Sequence, residues 1–337
     1  MTARRPPWRA VLSAAAVVLA GAFAYAVWSP GVEITDGRHD RGRNALWLQH
    51  GWLGADEWFV RNDQRERLGE FRTRAHIAQL AALLRRNGIT DLFPHVAPAG
   101  YDGRLPPVDH EQTERFLDGL AGLRVLPWTG GVVGKTCRPE DPHWRAAFVG
   151  SVAALLARHP RLAGIHVNLE PCPSGDRAFL ALLDDLRRAL PAGKVLSVAA
   201  YPPPTLWHPF PEVHWEESYF REVARRVDQL AVMMYDTALP AEKPYRHLMR
   251  TWTREVLAWA EGADVLLGVP AYDDPGVGYH HPRVENLRNA LAGIHAALHD
   301  LTPLPPHYQG VAIYCEWQMD ESEWDDWRRH FLRAAAR

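Results

Sequence analysis

Cysteine is scarce in this chain: Cys137, Cys172 and Cys315 are the only three in 337 residues. Three thiols and no Cys-x-x-Cys exclude a disulfide-dense scaffold and a thiolate zinc ribbon. The chain has 17 histidines but no His-Glu-x-x-His, so the pattern of a helix-borne hydrolytic zinc is missing. An excess of one charge is missing too. Lys plus Arg (38) nearly balances Asp plus Glu (40), which leaves no broad basic surface for nucleic acid. The first apolar run is not followed by a glycine-rich phosphate loop, which weakens the case for a doubly wound nucleotide-binding sheet. The expectation is a neutral or polar ligand, with no cofactor and no metal.

Tryptophan, by contrast, is plentiful at 14 residues, and Trp47, Trp52, Trp58, Trp128, Trp207, Trp215 and Trp317 fall near the ends of apolar runs or in loops. Flat apolar rings there could stack on a sugar, although any single one is more simply a packing element. At the N-terminus, Arg4, Arg5 and Arg9 precede an apolar stretch from Ala10 to Trp28 broken only by Ser13. This reads as a signal peptide or an uncleaved membrane anchor over residues 1–28. By the positive-inside rule the rest of the chain is then extracytoplasmic. A polar linker over 29–43 would follow, and residues 44–337 would form one domain.

Within that domain a short apolar run, a loop and an amphipathic stretch alternate. The eight runs are Ala45 to His50, Thr90 to Val96, Arg124 to Thr129, Gly164 to Glu170, Val195 to Tyr201, Gln229 to Tyr235, Val265 to Ala271 and Gly310 to Glu316. Eight strands alternating with helices in a chain of this length indicate a (β/α)8 TIM barrel. Catalytic groups of such a barrel lie at the C-terminal strand ends, and there the chain places Trp128, Glu170, Tyr201, Tyr235, Asp236, Tyr272, Glu316 and Trp317.

The fourth run carries the clearest chemistry. From His166 to Glu170 polar and aliphatic residues alternate, so His166, Asn168 and Glu170 face one side of the strand while Ile165, Val167 and Leu169 face the other. A carboxylate at the last inward position, with an amide two residues earlier, suits a site that handles a polar substrate. Asp236, Asp273 and Glu316 are candidate second carboxylates for a conventional retaining glycosidase.

On these residues the domain resembles the family 18 glycoside hydrolases, the chitinase-like barrels. The signature Asp-Gly-x-Asp-x-Asp-x-Glu lies over Ala163 to Glu170, Met-x-Tyr-Asp is Met233 to Asp236, Gly-x-Pro-x-Tyr is Gly268 to Tyr272, and Tyr314 takes the strand-eight aromatic position. Gly130-Gly131 matches a family glycine pair. All three signature aspartates are replaced, by Ala163, His166 and Asn168. The resulting Asn-x-Glu resembles the pair in family 85 endo-β-N-acetylglucosaminidases. The resemblance implies a glycoside hydrolase acting on a β-linked, N-acetylglucosamine-containing glycan by a substrate-assisted retaining mechanism. Glu170 would be the acid/base and Asn168 the group that orients the acetamido nucleophile, with Tyr235 and Asp236 beside them. Trp128, His166, Met233, Tyr201, Tyr272, Tyr314, Glu316 and Trp317 would touch substrate. The alternative is a lectin-like barrel that binds glycan without cleaving it. Neighbouring strands would also bring Cys137 and Cys172 together, so a disulfide is expected if their Cα atoms come within about 7 Å.

Overall fold

The computed structural model describes residues 7–333, apart from Trp207, Pro209, Pro275 and Val277. Arg4, Arg5 and Trp207 therefore lie outside the described residues, as does the side chain of Arg9. Nine parallel strands form one sheet: β1 (Asn44–Leu48), β2 (Ile89–Pro94), β3 (Arg124–Val125), β4 (Trp128–Val132), β5 (Gly164–Glu170), β6 (Val195–Ala200), β7 (Gln229–Met233), β8 (Asp264–Pro270) and β9 (Tyr308–Tyr314). Their order is β3-β2-β1-β9-β8-β7-β6-β5-β4.

The two ends of that order are one stave of a closed barrel. Pro127 has no N–H to give, so the ladder breaks between β3 and β4. Leu126 N still donates to Leu92 O (2.9 Å) and Val96 N to Trp128 O (2.8 Å), while Ala163 N and His166 N reach Val125 O and Pro127 O on the other side. The run 124–132 thus joins β2 to β5 and closes eight staves, as the alternating pattern requires. Gly130 lets this stave lie close to β5. A Cβ there would sit 1.9 Å from Asn168 O, and its φ is +122°.

Helices cover the outside, and several begin where a short polar residue caps them. Asp141 Oδ1 accepts from His143 N (2.8 Å) before the helix Pro142–Arg158, and Asp176 caps Arg177–Ala189. The second of these buries Phe179, Leu182, Leu183 and Leu186 against the strands, each worth about 1.5–3 kcal/mol of transfer free energy. Inside the barrel the floor is polar as well as apolar. Gln229 Nε2 donates to Asp91 Oδ2 (2.8 Å), Ser197 Oγ to Gln229 Oε1 (2.7 Å), His166 Nδ1 lies 2.8 Å from Ser197 Oγ, and Trp47 Nε1 donates to His166 Nε2 (3.2 Å). With Ser197 donating onward, His166 must donate from Nδ1 and accept at Nε2, the neutral imidazole. Burial agrees, pushing its pKa down to about 3.

Residues 29–43 do not form the free linker expected from their polarity. Val32 N donates to Ala292 O (2.9 Å), His39 and Asp40 are buried, and Asp40 accepts from Asn44 Nδ2 and Arg333 N. Backbone partners on the helix Leu287–Asp300 and near the C-terminal end hold the segment, because its buried polar groups must be satisfied there. Before it, the helix Pro7–Val27 projects Val17, Val18, Leu19 and Phe23 to the exterior, and Lys243 Nζ binds its last carbonyls, Tyr25 O and Ala26 O. Among the described residues no helix is long and apolar enough to cross a membrane.

Candidate active site

The alternation along β5 sets depth in the barrel. His166 lies at the floor, fully buried and stacked on Phe93 with ring centroids 3.9 Å apart, Asn168 lies above it, and Glu170 reaches the mouth. The mouth opens into a cleft of about 540 Å³ walled by Trp47, Trp128, Tyr201, Met233, Tyr235, Tyr272 and Tyr314. Tyr235 stacks on Tyr314 (5.4 Å, 15°), and Tyr272 meets Tyr314 edge-on (5.4 Å). Aromatic walls with a few convergent polar groups suit a ligand with apolar ring faces and a polar rim.

Asn168 Nδ2 donates to Glu170 Oε1 at 2.6 Å. Burial raises the pKa of Glu170, the amide bond opposes the shift, and the charge of Asp236 adds to it. The Asn168 Oδ1 is buried with no partner among the described residues. Oε1 of Glu170 is thus held as an acceptor, which leaves Oε2 to carry a proton toward the cleft, while the orphan amide oxygen can take an N–H from a ligand. Asp236 follows β7 with φ +62° and accepts from Tyr272 OH, and its carbonyl lies 3.2 Å from His208 Nε2. Burial, then His214, lowers His208 to about 4.

The structure thus gathers Trp128, Asn168, Glu170, Tyr201, Met233, Tyr235, Asp236, Tyr272 and Tyr314 around one cleft. Three of the expected contacts fall elsewhere. His166 is not a cleft residue: its ring is consumed by the floor network, so substrate contact is corrected to a structural role. Glu316 and Trp317, which follow the end of β9, line a neighbouring cleft of about 760 Å³ with Gln49, Trp52, Arg67 and Glu70, where Glu316 N donates to Trp47 O (3.0 Å) and ties the chain to β1. Burial lifts Glu316 to about 7, against a hydrogen bond from Gln49 N (3.3 Å). Asp273 is exposed, which leaves Asp236 as the second carboxylate of the main cleft nearest in effect to Glu170.

Sequence reasoning missed the loops. His208, Phe210 and Val213 after β6, Asp274 and Tyr279 after β8, and Gln318 after β9 all line the cleft. They belong to no periodic segment, so only a motif could have marked them. The expected disulfide is also absent: Cys137, Cys172 and Cys315 are free and buried. Cys137 Sγ lies by Thr136 Oγ1 (4.0 Å) beneath Gly131, whereas Cys172 Sγ turns toward Tyr219 OH (3.9 Å) of the helix Glu217–Ala224, so the two thiols are buried in different surroundings. Among the described residues two groups bring three ligand-type atoms within 4.8 Å of one another, His110 with Glu114 and His159, and Asp236 with His280 and Glu285. Each already holds a cationic or protonatable partner for its carboxylates: Arg161 Nη2 is 2.5 Å from Glu114 Oε2, and His280 lies between Asp236 and Glu285.

Fold and site together define a (β/α)8 barrel with an amide–carboxyl pair in an aromatic cleft at its C-terminal mouth. No protein family and no curated protein matches the chain in sequence. Among solved structures it is similar to the spore cortex-lytic enzyme SleL of Bacillus cereus, at 12% identity over 86% of this chain and 74% of that one, with a TM-score of 0.55. It is likewise similar to SleL of Bacillus megaterium QM B1551 (13% identity, 86% and 74% covered, TM-score 0.54). A chitinase from Bacteroides thetaiotaomicron aligns at 14% identity over 86% of this chain and 96% of that one, with a TM-score of 0.53. At such identities the likeness establishes the fold.

Proposed function

We propose that this barrel is a glycoside hydrolase that cleaves a β-linked glycan containing N-acetylglucosamine, with retention and with assistance from the substrate's own acetamido group. The observation that carries this reading is the 2.6 Å bond from Asn168 Nδ2 to Glu170 Oε1 inside the aromatic cleft, with Asn168 Oδ1 left unpartnered beside it. Glu170, its pKa raised by burial, gives its proton to the glycosidic oxygen as the C1–O bond breaks. The acetamido oxygen attacks C1, and Asn168 Oδ1 accepts the acetamido N–H and keeps the group aligned. Water then adds at C1, Glu170 takes back the proton, and the sugar leaves with its starting configuration. The similarity to cortex-lytic and chitin-cleaving barrels supports this substrate class.

The test is turnover of a panel of N-acetylglucosamine oligomers by the purified chain, with the first anomer read by NMR. Appearance of the β-anomer first supports the reading, and no cleavage of any oligomer or cortex glycan overturns it. A lectin-like barrel is the second reading. It is favoured by one feature: the two inward strand positions before Glu170 hold neutral side chains, Asn168 and His166, so Glu170 itself is the one group of β5 that can set a negative charge against a cationic intermediate. We also propose that the chain works outside the cytoplasm, delivered by a signal or anchor at its N-terminal segment. Arg4, Arg5 and Arg9 ahead of the apolar stretch, and the exposed apolar residues of the helix Pro7–Val27, support this. Protease protection of the barrel in intact cells checks it.

A further inference from the structure

Behind Asp236, on the side away from Glu170's strand, lies a group that the reaction as proposed does not use. His280 is 4% exposed and stacks flat on Tyr272, with ring centroids 4.0 Å apart. Its Nε2 is 3.1 Å from Tyr272 O. A carbonyl only accepts, so Nε2 carries a proton. Nδ1 then points between two carboxylates, 3.3 Å from Asp236 Oδ1 and 3.8 Å from Glu285 Oε2, and is well aligned with neither. A neutral imidazole would turn its lone pair on two anions, whereas an imidazolium would balance them. Glu285 is 1% exposed and is fixed by Thr237 N (2.9 Å) and His281 N (3.4 Å), so its carboxylate cannot swing away.

We propose that His280, backed by Glu285, is a positioning residue that holds the Asp236 carboxylate against Tyr272 and balances its charge beside Glu170. The role rests on Glu170 being the acid of the proposed hydrolysis. Asp236 links the two sides: it accepts from Tyr272 OH and faces His280, and its charge helps raise Glu170. Burial alone would lower the pKa of His280, and the two carboxylates outweigh it, so the net shift is upward. The titratable groups that face Asp236 and His280 are Tyr272 at the end of β8, Glu285 on the loop of His280, Tyr245 of the helix Glu242–Trp259, Tyr235, Tyr279, Glu170 and His208. Of these His208 alone could become a cation, and burial, then His214, lowers it to about 4, so it is neutral at pH 7.5.

The experiment reads charge before it reads turnover. On the 15N-labelled intact chain at pH 7.5, both His280 ring nitrogens should be protonated, and Glu285→Gln should return the ring to its neutral form. In His280→Gln the charge of Asp236 is left unbalanced, so the carboxyl carbon of Glu170 should titrate at higher pH, making it roughly a threefold or more weaker acid. On an N-acetylglucosamine oligomer the same variant should lose about tenfold in kcat with KM within about twofold, the split expected of an effect felt mainly in the transition state. A neutral His280 in the unmodified chain, a metal retained there in one-to-one amount, or an unmoved Glu170 titration in His280→Gln overturns the proposal. If the Glu170 titration moves but no glycan is cleaved, the positioning role stands and the hydrolase reading falls.

Discussion

Glu170 and Glu316 sit at the mouth of the same barrel, at the ends of β5 and β9, and burial raises both above the ordinary carboxyl range. Their surroundings differ. Glu170 has an amide donor on its own strand, aromatic walls and a second carboxylate whose charge it feels. Glu316 has a backbone N–H, and its cleft is edged by side chains that pair among themselves or with neighbours, such as Arg67 with Glu70 and Arg86 with Glu321. A raised pKa is therefore a property of burial. It becomes an acid for chemistry only where a partner fixes one oxygen and leaves the other facing open space.

The sharpest break in that comparison is the pair of isosteric variants. Glu170→Gln should lower turnover by about 10²–10⁴ while glycan binding persists, because a positioned general acid contributes on that scale. Glu316→Gln should leave turnover within a few-fold. Equal losses, measured as kcat on one oligomer, would erase the distinction between the two carboxyls.

Asn168→Ala should come next, with a loss of about 10²-fold in kcat, since it removes both the hold on Glu170 and the acceptor for the acetamido N–H. A thiazoline mimic of the cyclic intermediate should bind the unmodified chain far more tightly than the plain sugar, and the variant should lose that preference. Calorimetric titration with both ligands checks this, and equal affinities in the unmodified chain would favour the lectin-like reading.

A smaller effect separates the carboxyls through stability. Glu316 has a folded pKa of about 7 against an ordinary 4.5. Between these values the folded chain keeps a proton that the unfolded chain has released, so raising the pH through that window costs stability. The cost should be on the order of 1–3 kcal/mol, discounted for a side chain that is partly exposed. Glu316→Gln should flatten that part of the Tm profile, and an unchanged slope would place the proton elsewhere. The smallest effect concerns the thiols. Because Cys137, Cys172 and Cys315 are separately buried, a reductant should leave Tm unchanged and mass spectrometry should find three free thiols in unfolded protein.

Much of the barrel was legible in the order of residues alone. Periods of two and of about 3.6 are local properties, so eight alternating units, the inward face of β5 and the polar strand ends could be read without coordinates. The Asn168–Glu170 pair was legible for the same reason: residues two apart on a strand share a face wherever that strand lies. What distinguishes His166 from them is depth, and depth depends on Phe93, Ser197 and Trp47 arriving from other strands. The packing of 29–43, the separation of Glu316 from Glu170 into different clefts and the separate burial of Cys137 and Cys172 are likewise contacts between distant segments. The wall of His208, Tyr279, His280 and Glu285 is the extreme case. Loops carry no period, and only closure of the barrel sets His280 between a carboxylate that follows β7 and another on its own loop.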